Sequence, residues 1–432
     1  MFPDKKDKTR IVIVGGGFGG LELAKHLKHL PVEVLMLDRH NYHTFQPLLY
    51  QVATGALEAG AISFPIRRIF QNHNNFSFAL ADVLKINADK NTIDTSVGEI
   101  DYDYLVLATG AESNFFGNKQ IQHYAMGMKS VPEALNLRSM ILQSFEAAIT
   151  EKDATEKEEM MTFVVVGGGP TGVELAGALA EFKNHILAKD YPQLNHTEMR
   201  VCLVDGNSLV LDVMSDKSSE RAQQYLKEMG VVIYNNVHVN SFDGELVETS
   251  DGTKIRTRNV LWAAGVTGQF PEGISPENVV KGHRIATDNV NRIKGFSNIF
   301  AIGDVAAVVT TDLPNGHPGV AQVAMQQGRH LARNLSLIVE GKPTVPFVYH
   351  DKGSMATIGR NKAVADIGKL SFGGFVAWLL WCFVHVFSLL GFQNRLMVFF
   401  NWTGRYFSYN GPNRLIIRPF SRKSMTEDIN AK

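Results

Sequence analysis

The chain has 432 residues, 45% of them hydrophobic and 20% charged, with 43 basic and 43 acidic side chains. That length allows two to three domains with normal cores, and the composition excludes a disordered chain. A net charge of zero gives no global reason to bind nucleic acid, and two cysteines 180 positions apart, Cys202 and Cys382, exclude a cysteine-rich zinc module, a cysteine-ligated iron–sulfur cluster and a C-x-x-C redox pair. The start, MFPDKKDKTR, is charged and runs straight into IVIVGGG, so a secretory signal is not expected and the chain reads as intracellular.

Residues 11–27, IVIVGGGFGGLELAKHL, predict a buried strand, a glycine-rich turn and a helix. Gly15, Gly17 and Gly20 fall in the order G-x-G-x-x-G. The first glycine permits the tight turn, the second lets a pyrophosphate approach the backbone, and the third lets helix and strand pack closely. The pyrophosphate then meets the helix N-terminus. His26 and His29 stand beside Lys25 and Lys28, which reads as a solvated face rather than a metal site. Asp38 ends a second strand 18 positions after Gly20, near the spacing of a ribose-binding carboxylate. His40 and His43 follow without an assigned role. Residues 101–110, DYDYLVLATG, are a strand ending in Ala108, Thr109 and Gly110. The charged run 150–160, TEKDATEKEEM, reads as a solvated loop.

Residues 163–179, FVVVGGGPTGVELAGAL, repeat the first pattern with Gly167, Gly169 and Gly172. Segment 181–198 predicts a longer helix plus loop, so Asp205 ends the next strand 33 positions after Gly172. Asp38 and Asp205 also suit plain strand-end turns. RNVLWAAG, 258–265, parallels 101–110 and ends in Gly265. NIFAIGDVA, 298–306, sets Gly303 and Asp304 at the carboxyl end of a strand, where open α/β sheets bind ligands. In VAQVAMQQG, 320–328, Gln322 and Gln326 are four apart and share a helix face. Paired amides match the carbonyls of a quinone and the hydroxyls of a quinol. By spacing alone, two solvated glutamines are the better reading.

Residues 370–394 contain no Asp, Glu, Lys or Arg, and 25 residues are enough to span a bilayer. Arg395, Arg405, Arg414, Arg418, Arg422 and Lys423 follow with no acid among them. A buried core helix would be long at this length. A single span would place that basic tail across the membrane from the cytoplasmic body, against the positive-inside tendency. A monotopic anchor keeps it on anionic lipid with aromatic residues at the interface, and Gly373, Gly374 and Gly391 would break the run accordingly. The monotopic anchor is the expectation.

With two fingerprints and a Gly-Asp segment, the chain resembles the two-dinucleotide-domain flavoproteins. The resemblance implies FAD on the first fold, NAD(P)H on the second and Asp304 on the ribityl chain of FAD. With F-Q-P-L-L-Y-Q-V-A-T-G at 45–55, A-Q-V-A-M-Q at 321–326 and the tail, it is similar to type II, non-proton-pumping NADH:quinone oxidoreductases from about residue 10 to about 420. That similarity implies that Gln322 and Gln326 line the quinone site, that Ala321 lies beside the flavin and that Glu174 sits near the nicotinamide. Glu174 is equally an acid stabilised by a helix dipole. Asp205, with no arginine in the following GNSLVL, favours NADH over NADPH.

The expected fold is α/β, with two Rossmann-like dinucleotide-binding domains plus a C-terminal helical membrane-binding region. Residues 8–115 and 285–345 would bind FAD, with Ala108 and Gly110 at a strand end. Residues 116–284 would bind NADH, with Gly265 in the equivalent place. Residues 346–432 would anchor the chain and admit quinone. The expected activity is NADH:quinone oxidoreduction without proton pumping, on the cytoplasmic face of the inner (plasma) membrane. Expected partners are NADH, a membrane quinone and an anionic lipid surface, with a homodimer left open and neither nucleic acid nor metal. A soluble-acceptor NADH oxidase or ferredoxin reductase-like enzyme, and a membrane-tethered redox sensor with little turnover, are the rivals.

Overall fold

A computed structural model describes residues 8–311, 313–409 and 413–420. Arg422 and Lys423 of the basic tail lie outside them. The two β-branched runs have no polar alternation, which suits strands buried on both faces. The strand Thr9–Val14 is inside a five-stranded parallel sheet. Val32–Asp38 and then Phe76–Leu80 lie on one side of it, and Tyr104–Leu107 and then Ile299–Ala301 on the other. The strand Thr162–Val166 is likewise flanked by Arg200–Val204 and Asn259–Trp262, with Val231–Tyr234 at the edge. Each glycine turn therefore leaves a strand whose two neighbours lie on opposite sides. That is the switch point at which such sheets take ligands.

The chain divides into two compact units. One is Met1–Thr44, Phe64–Glu112 and Val266–Asp351, and the other is Phe45–Ser63, Ser113–Gly265 and Lys352–Lys432. Residues 266–284, grouped with the second fold on sequence grounds, fall in the first unit, whereas 45–63, grouped with the first fold, fall in the second together with the described residues from 352 on. Six helices carry the argument: α1 (Phe18–His26), α2 (Leu49–Ala53), α3 (Pro170–Phe182), α4 (Ala321–Val339), α5 (Phe375–Ser388) and α6 (Phe392–Phe407).

In the first unit α4 lies along α1. A Cβ on Gly328 of α4 would stand 2.4 Å from the Gly19 carbonyl oxygen, so the helices meet backbone to backbone. In the second unit α3 packs on Ser354–Gly359, the first strand of an antiparallel sheet completed by Lys362–Ile367 and Leu370–Gly373. The uncharged run then breaks where its glycines stand. Gly374 and Gly391, both with φ +78°, precede α5 and α6. The 14 residues of α5 reach roughly 21 Å, short of a hydrocarbon core of about 30 Å. No helix among the described residues is long and apolar enough to cross a membrane.

The run 150–160 is not the expected loop, because from Ala154 on it belongs to the helix Ala154–Met161. Asp153 caps it, accepting from the Thr155 and Glu156 N–H groups at 2.8 and 3.0 Å. Glu159, only 3% exposed, pairs with Arg256 at 2.9 Å and with Arg258 at 3.3 Å. Those partners lie far away in sequence, so local composition does not reveal them.

A Cβ on Gly177 would come 1.8 Å from the Ile358 carbonyl oxygen, a backbone atom that cannot step aside. Gly177→Ala is expected to cost about 3 kcal/mol of stability. Gly404→Ala, where a Cβ meets nothing within 4 Å, should be neutral or slightly stabilising. Thermal unfolding of both variants beside the parent checks this, and equal midpoints for all three would contradict it.

Candidate functional site

The first unit presents a cradle at the carboxyl ends of its strands. Gly15 has φ +109°, and a Cβ there would lie 2.3 Å from the Ala108 carbonyl oxygen. A Cβ on Gly20 would lie 2.0 Å from the Gly15 oxygen. Gly17 is the opposite case, with nothing within 4 Å. It begins α1 with no side-chain cap, so the first N–H groups of the helix face open space, as an anion requires. Gly16 escaped the sequence analysis. Its N–H donates to Asp38 Oδ2 at 2.6 Å, and the other carboxylate oxygen accepts from the His40 N–H at 2.7 Å. Burial pushes the Asp38 pKa up, against those two N–H groups. His43 is 4% exposed and its Nδ1–H donates to the Gly16 carbonyl at 3.0 Å. Burial takes its pKa down to about 4, so the ring is neutral at pH 7.

Ala108 N–H donates to Val14 O at 2.7 Å, and Gly110 O accepts from the Gln269 N–H at 3.3 Å. Asp304 follows Gly303, whose N–H donates to Gln327 Oε1 at 2.7 Å. Among the described residues no hydrogen bond reaches the Asp304 carboxylate. The neighbouring Arg284 donates instead to the carbonyls of Ala306, Asn315 and His317. The Asp304 oxygens are thus available to a polyol. The open helix end, the strand-end acid and this carboxylate together fit the pyrophosphate, ribose and ribityl groups of FAD.

Ala321 opens α4, with Gln322 and Gln326 half-buried on one face. The Gln326 amide is engaged. It donates to His350 O at 2.9 Å and accepts from His350 N–H at 3.0 Å. Gln327, the next residue, is the buried one, at 1% exposure. The sequence singled out Gln322 and Gln326 by family resemblance and not Gln327, because only the fold shows which amide meets Gly303.

The second unit builds the same turn. Gly167 has φ +108°, a Cβ on Gly172 would stand 1.8 Å from the Gly167 oxygen, and Gly169 is open and uncapped. A Cβ on Gly168 would strike Asp205 Oδ2 at 2.3 Å. Burial pushes the Asp205 carboxyl pKa up, against the N–H groups of Gly168, Gly206 and Asn207 and helped by Asp212. Gly265, with φ +79°, borders Phe116. The repeated middle glycine of GGG was the available signal for Gly16 and Gly168.

Glu174 sits on α3 one turn past Gly169. It is 8% exposed and lines a cavity of about 110 Å³. Tyr50 and Gln51 of α2, Glu181 of α3, Trp381 and Cys382 of α5, and Trp402 and Arg405 of α6 share the walls. Burial raises the Glu174 pKa to about 8, with the Thr357 N–H and the Trp381 indole offsetting only part of that. Burial raises Glu181 as well, against the Arg360 N–H and the charges of Arg405 and Arg360. On α5 and α6, Ala377, Trp381 and Val398 face inward, whereas Phe383, Phe387, Phe399 and Phe400 are each more than half exposed. The cavity has no signature in the sequence, since its walls come from five separate stretches. Cys202 and Cys382 are free thiols, and the described residues hold no cluster of three or more metal-ligating side chains.

The family model described as pyridine nucleotide-disulphide oxidoreductase matches residues 9–328, and that described as NDH2 C-terminal domain matches 351–408. The chain is 38% identical to the type II NADH:quinone oxidoreductase Ndh of Mycobacterium tuberculosis, covering 93% of this chain and 89% of the relative. It is 30% identical to the type II NADH:quinone oxidoreductase of Staphylococcus saprophyticus, covering 84% and 90%. In fold it is similar to NDH2 from Plasmodium falciparum, solved in complex with NADH, with TM-score 0.87 at 20% identity over 95% of this chain and 100% of that one.

The Glu174 pKa carries a stability consequence. Below pH 4.5 the carboxyl is protonated whether the chain is folded or not. As pH rises from about 4.5 to 8 only the unfolded chain gives up this proton, so stability falls, and above about 8 the loss is complete. Glu174→Gln escapes the loss. Its margin over the parent in thermal unfolding should widen between pH 4.5 and 8 and then stay constant. A margin independent of pH would contradict the assignment.

Proposed function

We propose residue roles from one premise: the chain belongs to the type II NADH:quinone oxidoreductases, within the pyridine nucleotide-disulphide oxidoreductase family. It is an NADH dehydrogenase that reduces quinone, with FAD as its cofactor. FAD, when bound, supplies the two-electron relay between NADH and quinone, and the chain supplies binding, orientation and proton delivery.

In the first unit the Gly15, Gly17 and Gly20 turn and the N-terminus of α1 hold the FAD pyrophosphate. Asp38 takes a ribose and Asp304 the ribityl hydroxyls. Ala108, Gly110 and Ala321 bring backbone close to the flavin. In the second unit Gly167, Gly169, Gly172 and Gly265 do the same for NADH. Asp205 accepts from its ribose 2′-hydroxyl and repels a 2′-phosphate.

Reducing a quinone to a quinol takes two electrons and two protons. The observation that carries the proton assignment is Glu174, a carboxyl raised to about 8 inside an aromatic-walled cavity. At pH 7 it is mostly protonated and close enough to neutrality to give the proton up. We assign it as the general acid that supplies one of the two protons, with recharging from solvent. Gln322 and Gln326 of the first unit are the amides proposed for quinone recognition. Gln326 must first release the His350 backbone.

The exposed phenylalanines of α5 and α6 suit a lipid surface on which these helices lie without crossing. Arg395 and Arg418 set positive charge nearby for anionic lipid, on the cytoplasmic face, whereas Arg405 lines the cavity beside Glu181 and Arg414 pairs with Asp190, so these two are not the lipid contacts the sequence suggested. A quinone confined to lipid would then enter the cavity sideways, and the reaction runs without proton pumping. A two-fold homodimer, the commonest assembly, is the proposed oligomer.

Glu174→Gln should leave flavin reduction by NADH within about twofold and slow reoxidation by quinone about a hundredfold. Stopped-flow absorbance of the flavin resolves the two half-reactions. Parent-like reoxidation in the variant would contradict the acid role.

A further inference from the structure

Tyr50, Gln51 and Trp402 form a hydrogen-bonded chain whose direction is set at one end. An indole N–H can only donate. Trp402 Nε1–H donates to Gln51 Oε1 at 2.8 Å, which fixes the amide oxygen toward α6. The Gln51 NH₂ must then turn the other way, and it donates to the Tyr50 hydroxyl oxygen at 2.9 Å. Tyr50 has its donor and its own proton is left over. Among the described residues none accepts it. Tyr50 is 6% exposed and lines the cavity that Glu174 lines. Burial holds its phenol well above its usual pKa, with the charge of Glu174 adding to this, so the group keeps its proton at working pH. A buried hydroxyl that lacks an acceptor is rare and asks for a guest.

We propose that the Tyr50 O–H donates a hydrogen bond to a carbonyl oxygen of quinone seated in this cavity, and that Gln51 and Trp402 aim it there. This rests on the reading that the cavity receives quinone. Tyr50 touches the substrate, while Gln51 and Trp402 are positioning residues. Tyr50 keeps its proton throughout and differs in that from Glu174. Trp402 lies on α6, the helix that also carries the exposed Phe399 and Phe400, so the seating of that helix bears on the aim of the donor.

The test uses the full FAD-loaded chain, NADH and a short-chain quinone, with the two half-reactions followed separately. Tyr50→Phe should lower kcat/KM for quinone about three- to tenfold, leave flavin reduction by NADH within twofold, and show no pH dependence relative to the parent. Gln51→Glu reverses the relay. Its carboxylate accepts from both Trp402 N–H and Tyr50 O–H, drawing the phenol proton out of the cavity. It should match Tyr50→Phe at pH 8 to 9 and regain parent rates as pH falls, because the protonated carboxyl can again donate to Tyr50. The ionisable groups lining the cavity with Tyr50 are Glu174 and Glu181 of α3, Cys382 of α5, Arg405 and Tyr406 of α6, Tyr409 just after α6 and Arg360 beyond the strand Ser354–Gly359. Dividing each rate by the parent rate at the same pH removes their titration.

Parent-like quinone kinetics in both variants, or a Gln51→Glu defect that does not change with pH, would overturn the proposal. Ala178→Phe separates the two readings by filling the cavity from α3, and Ala178→Leu serves if the ring prevents folding. If filling the cavity blocks quinone while Tyr50→Phe and Gln51→Glu behave as the parent, only the donor assignment fails. If filling it leaves quinone turnover intact, the cavity reading fails as well.

Discussion

Ionising Glu174 inside its cavity is costly, and much of the second unit enforces that cost. The carboxyl is walled by α2, α3, α5 and α6, and the nearby N–H groups do not make up for lost water. Close packing closes the wall. Gly177 lets the strand Ser354–Gly359 come against α3, and that strand leads through its sheet to the two aromatic helices. A side chain at 177 would push the sheet outward and admit water. Burial that strains stability is here the source of an acid that is protonated at pH 7, which couples packing to the proposed chemistry.

The two dinucleotide folds show one local solution used twice. In each, the first glycine brings a backbone carbonyl of the neighbouring strand close, the second opens a helix N-terminus, and the middle one lies against the acid of the next strand. Gly16 with Asp38 and Gly168 with Asp205 are the same contact in two units. The acid does two things at once. It pins the glycine turn, and its remaining lone pairs stay available to a ribose. The middle carbonyl is also held from outside the motif in both copies, by the His43 ring at Gly16 and by the Leu211 N–H, at 2.7 Å, at Gly168.

What could be read from the sequence follows the range of the forces involved. The glycine spacing, the strand-end acids and the breaks at Gly374 and Gly391 are local, and each was legible from a few adjacent residues. The helix Ala154–Met161 was missed because the partners of Glu159 are supplied by Arg256 and Arg258. The role of Gln327 was missed for the same reason, since Gly303 meets it only once α4 is in place. The cavity was illegible altogether. Tyr50, Glu174, Thr357, Trp381 and Trp402 come from stretches with no shared pattern, and an unpaired phenol proton is a property of three-dimensional bookkeeping.

The helices that wall the cavity, α5 and α6, carry exposed phenylalanines on their outer faces. Two short helices that cannot cross a bilayer but expose rows of phenylalanine suit a lipid surface, and quinone held in that lipid would be delivered where the proposed acid waits. The most direct measurement is anaerobic NADH oxidation with a long-tailed quinone confined to vesicles, while the bound fraction of protein is varied through anionic lipid and salt. The account predicts a rate that tracks the bound fraction and vanishes when the protein is released, with a short soluble quinone still turning over. Long-tailed quinone turnover that ignores the bound fraction would contradict it.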